Sequence, residues 1–386
     1  MTPQWQVAFA DNTIGEPEIE AVTEVLRSRW LSAGPRTRDF EREFAAALDV
    51  PDAVAVNSGT AALHLAMMNL DLRPGDEVIV PALTFVASAA VTAMLGATPV
   101  FADVRSELEP TIDPADADRL VTGRTKAIVA MHYGGHAADV EALRTVAADH
   151  GIALIEDAAH APRVRANGGM LGTFGALGCF SFFATKNVTT AEGGMVVARD
   201  PEVLERIRLM RSHWMTTSTW QRAQSGQSGQ AGYDVAGLGL NYRPNEITAA
   251  LGRVQLRKLS ADRTRRRELV ARYHQALAGI PGLGIPFAGR TGDSAHHLMA
   301  VLLPASADRD AVRDALARAG VQTSMHYPPT HRFSFYRDNF ASAHRELPVT
   351  DRISGRLLSL PLHGRMSDDD VLLVARALRD RVRAAA

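Results

Sequence analysis

Lys186 stands in the segment Ser181-Phe-Phe-Ala-Thr-Lys186-Asn-Val-Thr-Thr-Ala-Glu-Gly193-Gly194, just past one apolar run and before a paired-glycine turn into the next. An amine there is poorly placed for full hydration. Burial disfavours the ammonium form, so such a lysine can lose its proton near neutral pH and attack a carbonyl to form an imine. Upstream, Ile155-Glu156-Asp157-Ala-Ala-His160 closes another apolar run. The carboxyl ends of strands in open α/β sheets face the ligand crevice, and a carboxylate there can keep a pyridine nitrogen protonated, so that the ring draws electrons from the bond being broken. Read alone, Asp157 serves equally as a helix N-cap. Farther upstream, Asn57-Ser58-Gly59-Thr60-Ala61-Ala62-Leu63 follows the run Val54–Val56 and opens a helix. The N–H groups of a helix start attract an anion; Ser58 and Thr60 add hydroxyl donors, and Gly59 permits close approach. Phe85, in Thr84-Phe85-Val86, offers a face to stack on a planar ring, or an ordinary piece of core.

Short apolar runs position these groups. Val54–Val56, Glu77–Val80, Thr98–Phe101, Lys126–Val129, Ile152–Ile155, Cys179–Phe183 and Met195–Val197 alternate with segments of helical spacing at Ala61–Asn69, Asp139–His150 and Glu202–Arg211. That alternation predicts an α/β protein with a doubly wound, mostly parallel sheet. From Asn245 to about Ala278 the pattern is one long helix striped by Ile247, Ala250, Leu251, Val254, Leu256 and Leu259, which reads as a connector between domains. The Gly/Pro-rich stretch Gly279–Gly292 reads as a linker. Strand His297–Leu303, helix Arg309–Arg318, strand Val321–His326 and helix Asp368–Ala384 then make a small α+β domain. The expected division is an arm at 1–12, a large domain at 13–244, and the connector with the small domain at 245–386. Gln221–Gly232, rich in Gln, Ser and Gly, is expected to be a mobile loop.

Composition narrows the function. A chain of 386 residues, 46% hydrophobic and 22% charged, can fold fully around a large core. Its net charge of −1 offers no long-range field for nucleic acid or an anionic membrane, so any phosphate recognition must be local. The run Arg263, Arg265, Arg266 and Arg267 falls on the long helix and reads as a solvated face rather than a phosphate patch. A single cysteine, Cys179, excludes an internal disulfide and a cysteine zinc site, and together with an N-terminus that carries no signal-like apolar run it makes the cytoplasm the expected compartment. His132 and His136 share a glycine-containing loop with no evident third ligand, so no metal site is expected.

Taken in order, these segments resemble the DegT/DnrJ/StrS nucleotide-sugar aminotransferases, which are fold type I pyridoxal-phosphate (PLP) enzymes. The resemblance runs almost the whole chain, from Leu31-Ser-Ala-Gly-Pro35 through the segments above to Leu240-Asn241-Tyr242-Arg243, Met325-His326-Tyr-Pro-Pro329, His331 and Leu358-Ser-Leu-Pro-Leu362. It implies that Lys186 forms the Schiff base to PLP, that Asp157 contacts the pyridine nitrogen and that Phe85 stacks on the ring. By the same resemblance, Ser58, Gly59, Thr60 and Ser181 hold the phosphate, and His160 lies near the ring hydroxyl. Asn241 reaches the cofactor phosphate of a second subunit with Arg243 close by, which makes a homodimer the catalytic unit. His326 and His331 border the sugar pocket. Trp214, Pro162-Arg163 and Pro244 depart from the common pattern and bear on substrate fit.

The implied reaction transfers an amino group from glutamate to a keto sugar carried by a nucleotide. His132-Tyr-Gly-Gly, Ala-Ala-His160 and the Lys186 segment look most like members acting at carbon 4; amination at carbon 3 or of a keto cyclitol uses the same cofactor pocket. A dehydratase on this scaffold usually carries histidine in place of the lysine, so Lys186 argues against it. A PLP-holding protein without turnover is the remaining alternative.

Overall fold

The computed structural model describes residues 5–224, 232–290 and 292–383. Among the described residues seven strands form one sheet: β1 (Ala53–Val56), β2 (Glu77–Pro81), β3 (Thr98–Ala102), β4 (Thr125–Met131), β5 (Ala153–Asp157), β6 (Leu177–Ser181) and β7 (Gly194–Ala198), in the order β1-β7-β6-β5-β4-β2-β3. Only β7 runs against its neighbours. Side chains alternate across the sheet, so Val54 and Val56 join one core layer with Val80, Val129 and Ile155 while Ala53 and Ala55 join another with Phe180 and Met195. Both faces are covered, which is why these strands read as continuous apolar runs rather than as an alternation.

The fold agrees with the expected α/β class, and the differences are local. β6 ends at Ser181 instead of Phe183. Phe182 leaves the ladder to pack among Phe40 and Phe44, and Phe183 is exposed. The long helix is Glu246–Leu277, opened by an Asn245 cap. Its Glu246 carboxylate accepts the N–H groups of Gly34, Arg36 and Thr37 and the Thr37 hydroxyl, which fixes the Leu31–Pro35 turn against the helix start. The arginine run is not uniformly solvated. Arg266 is buried, bonded to Asp262 and to the Leu362 carbonyl, because this face of the helix lies under the C-terminal segment.

That C-terminal layer contains an antiparallel pair, β8 (Met299–Leu302) and β9 (Leu357–Leu360), with helices Arg309–Arg318 and Asp368–Arg383. The expected strand Val321–His326 does not form. Val321 pairs with Val7 while Ser324 pairs with Ser359, so the segment changes partner before a ladder can build. The start of the expected Gln221–Gly232 loop belongs instead to a short helix, Thr219–Gln224, and residues 225–231 lie outside the described residues. Tyr336, Ala343 and Leu347 return to the large sheet and pack with Phe101. Among the described residues no helix is long and apolar enough to cross a membrane.

Candidate active site

A cavity of about 450 Å³ opens at the carboxyl ends of β4, β5 and β6, where loops from both halves of the chain meet. It gathers Ser58, Gly59, Thr60, Phe85, Asp157, His160, Ser181, Lys186 and His326 from the sequence-derived set. Asn241, Arg243 and His331 do not line it. Asn241 is exposed on the chain surface, and Arg243 donates to Ser212 Oγ at 3.1 Å. His331 is buried away from the cavity, with Nε2 3.7 Å from Asp351. Trp214, Pro162 and Pro244 also lie outside the lining. Sequence reading passed over Tyr327, His297 and Glu192, which line the wall, and Asn187 behind it. Tyr327 lay inside the quoted Met325–Pro329 segment; nothing local marked His297, whose position depends on folding over Asn187.

One end of the cavity is built for an anion. Ser58 extends before the helix Gly59–Met68, its Oγ caps the Ala61 N–H at 3.0 Å, and its carbonyl takes that of Ala62. The N–H groups of Gly59 and Thr60 are left without a helical acceptor. A Cβ at Gly59 would stand 2.7 Å from Ser181 Cβ, and one at Gly194 would stand 2.5 Å from the Ser58 carbonyl oxygen. Side chains at either position would close this cradle, which accounts for the glycine in the Ser-Gly-Thr turn and for the second glycine of the pair after Lys186.

Lys186 sits half-buried in the wall. Burial brings its ammonium down to about 8, against the opposing pull of the Asp157 charge. Asp157 ends β5 with its Oδ1 accepting the Ala159 N–H at 3.1 Å; burial raises its pKa, and a cation placed beside it would restore the ionised form. His160, His297 and His326 all titrate low, chiefly through burial and then through Lys186, with His326 at about 4. The imidazoles near the amine are therefore neutral, and Asp157, at the end of β5, is the buried carboxyl in this lining that can balance a positive ring, with Glu192 also in the wall.

Glu156, beside Asp157 in sequence, points to the opposite face and does structural work. Its carboxylate accepts the N–H groups of Gly172, Phe174 and Gly175 at 2.7–2.8 Å, and His132 Nε2 lies 3.0 Å away. Because His132 Nδ1 accepts the Ala138 N–H, its hydrogen is on Nε2 and is given to Glu156. Glu156→Ala strands four donors, of which the Gly172 N–H and His132 Nε2 are buried, and is expected to lower unfolding free energy by about 3 kcal/mol or more. Denaturant unfolding checks this, and a loss under about 1 kcal/mol would contradict it.

The cavity fits the three ends of PLP: a carboxylate for the ring nitrogen, a primary amine for the aldehyde and a backbone cradle for the phosphate. Residues 12–379 match the model of the DegT/DnrJ/EryC1/StrS aminotransferase family. The chain is 42% identical to the spore coat polysaccharide biosynthesis protein SpsC of Bacillus subtilis, covering 96% of each. It is 40% identical to the dTDP-4-dehydro-2,3,6-trideoxy-D-glucose 4-aminotransferase of Saccharopolyspora spinosa, covering 94% of this chain and 93% of that one. Among solved structures, the PLP form of Spr1654 from Streptococcus pneumoniae superposes with a TM-score of 0.87 at 29% identity, covering 98% of this chain and 99% of that one. A family match over nearly the whole length, on a fold whose cavity suits the cofactor end by end, places the chain in the DegT/DnrJ/EryC1/StrS aminotransferase family as a PLP-dependent sugar aminotransferase.

Proposed function

We propose that the chain aminates carbon 4 of a nucleotide-linked 4-keto-6-deoxyhexose, with L-glutamate as the amino donor. The observation that carries the reading is the meeting of a low-pKa lysine, a buried carboxylate and an anion cradle in one cavity. The 4-aminotransferase relative supports the position on the sugar. Lysine at position 186 disfavours dehydration on the same scaffold.

When bound, PLP supplies an electron sink that stabilises charge on the carbon next to the transferred nitrogen. The protein does the rest. Lys186, as the free amine, would hold the cofactor through its aldehyde and would serve as the base that moves the proton at the donor's amino-bearing carbon. Asp157 holds the positive charge on the ring nitrogen. Ser58, Gly59, Thr60 and Ser181 grip the phosphate, and Phe85 covers one ring face and excludes water. His326 borders the sugar from the C-terminal layer.

Asn241 and Arg243, outside the cavity of their own chain, act in the site of a second copy. Leu238 near them is 87% exposed, and such a side chain gains by burial in a homodimer. Two inactive proteins, Lys186→Ala and Asn241→Ala, are then expected to recover about a quarter of wild-type activity when mixed and reassorted, since half the dimers carry one intact site of two. No recovery after verified exchange would count against a site built from two subunits.

The function itself is tested with PLP-loaded protein, L-glutamate and a panel of nucleotide-linked keto sugars. The expected result is 2-oxoglutarate in equal amount to an amino sugar whose new nitrogen is located at carbon 4 by NMR. If glutamate is consumed with no panel member, the reading fails; nitrogen at carbon 3 overturns the position alone.

A further inference from the structure

His160 sits between two hydrogen-bonding partners. The Gly134 N–H donates to its Nδ1 at 3.3 Å, and its Nε2 lies 2.9 Å from the Tyr327 hydroxyl. A ring nitrogen that accepts carries no hydrogen, so the neutral imidazole keeps its proton on Nε2 and donates it to Tyr327 Oη. Burial holds His160 neutral and the Tyr327 phenol protonated. The tyrosine oxygen has thus accepted a bond, and its own hydrogen is available to a ligand in the cavity that Tyr327 lines.

Sheet order says which part of the ligand lies there. β5, ending in Asp157, has β4 on one side and β6 on the other. Ser181 ends β6, and Ser58–Thr60 follow β1, two strands farther in the same direction; Gly134 follows β4 on the opposite side. In PLP the phosphate arm and the phenolic oxygen leave the ring on opposite sides of the line from the nitrogen to the aldehyde-bearing carbon. With the nitrogen at Asp157, that carbon at Lys186 and the phosphate toward β6 and β1, the phenolic oxygen falls on the side of Gly134, His160 and Tyr327.

We propose that Tyr327 donates the hydrogen bond to the phenolic oxygen of the cofactor, and that His160 is a positioning residue that directs the Tyr327 hydroxyl. This rests on the ring orientation proposed above. The titratable groups around Tyr327 are Asp157 and His160 at the end of β5, Tyr133 beyond β4, Lys186, His297 and His326. A donor on the phenolic oxygen stabilises its anion and weakens that anion's hold on the proton of the neighbouring lysine-derived nitrogen. Without the donor, that nitrogen keeps its proton to higher pH.

The experiment is a pH titration of the long-wavelength absorption band of the PLP-loaded protein, with PLP affinity measured alongside. Tyr327→Phe is expected to hold PLP and raise the titration midpoint by about one pH unit. His160→Leu is expected to raise it in the same sense, and His160→Gln to restore it, because an amide N–H can still donate to Tyr327 Oη. An unchanged midpoint in Tyr327→Phe overturns the proposal. Should that variant fail to hold PLP, the histidine pair decides: equal midpoints in His160→Leu and His160→Gln overturn it. If the wild type itself shows no such band with PLP, the orientation and its underlying reading fall first.

Discussion

In Lys186→Ala, kcat for amino transfer is expected to fall by about four orders of magnitude or more, the scale seen when a nucleophile that works as part of a unit is removed. In the proposed mechanism the proton transfer depends on this Nζ, and no other lysine lines the cavity among the described residues. The anion cradle and Asp157 remain, so the variant is expected to bind PLP, only without a covalent bond. Borohydride reduction of the loaded wild type should fix PLP to the peptide carrying Lys186, and should fix none in Lys186→Ala. Persistent labelling of the variant at another lysine would remove Lys186 from its role. Burial also sets the pH dependence. It disfavours the ammonium, so the folded pKa drops from 10.5 to about 8 and the free amine is more abundant at neutral pH than in an exposed lysine. The rate of PLP uptake is therefore expected to climb as pH rises through about 8 and to level off above it. An uptake rate still climbing steeply near pH 10, as for an exposed lysine, would show that the amine is not held as the cavity implies.

Much of this site was legible because its parts sit in local patterns. Strands covered on both faces read as unbroken apolar runs, and Ser58, Asp157 and Lys186 each stand where such a run or its turn ends. What escaped depends on contacts between distant segments. Tyr327 meets His160 across 167 positions, and His297 meets Asn187 across 110. No periodicity encodes either pair. Arg266 looked solvated because a helical stripe shows which residues share a face, and not which later segment will cover it; here the Leu362 carbonyl does. Val321–His326 has strand-like residues, but strand formation needs one continuous neighbour, and this segment has two partial ones. Asn241 is exposed and Arg243 is held outside the cavity by Ser212, so a single chain does not show what either would contact in a second copy.

Asp157→Ala is expected to lower kcat/KM by about 10²- to 10³-fold, the usual consequence of removing one preorganised electrostatic group from an active site. The carboxylate has two jobs that must be separated. It caps the Ala159 N–H, which is structural, and in the proposed ring orientation it faces the ring nitrogen, which is chemical. Asp157→Asn separates them. The amide oxygen can still accept from Ala159, so the turn and the thermal stability should survive, but a neutral amide cannot keep the pyridine nitrogen charged, so the loss of activity should remain. A PLP analogue methylated on the ring nitrogen carries that charge permanently. It should recover part of the lost activity in Asp157→Ala, where the shortened side chain leaves room for the methyl group, and should not help the wild type. If Asp157→Asn is fully active, or if the analogue rescues nothing while binding normally, Asp157 acts only as a cap. The raised pKa of Asp157 would then be a consequence of burial alone.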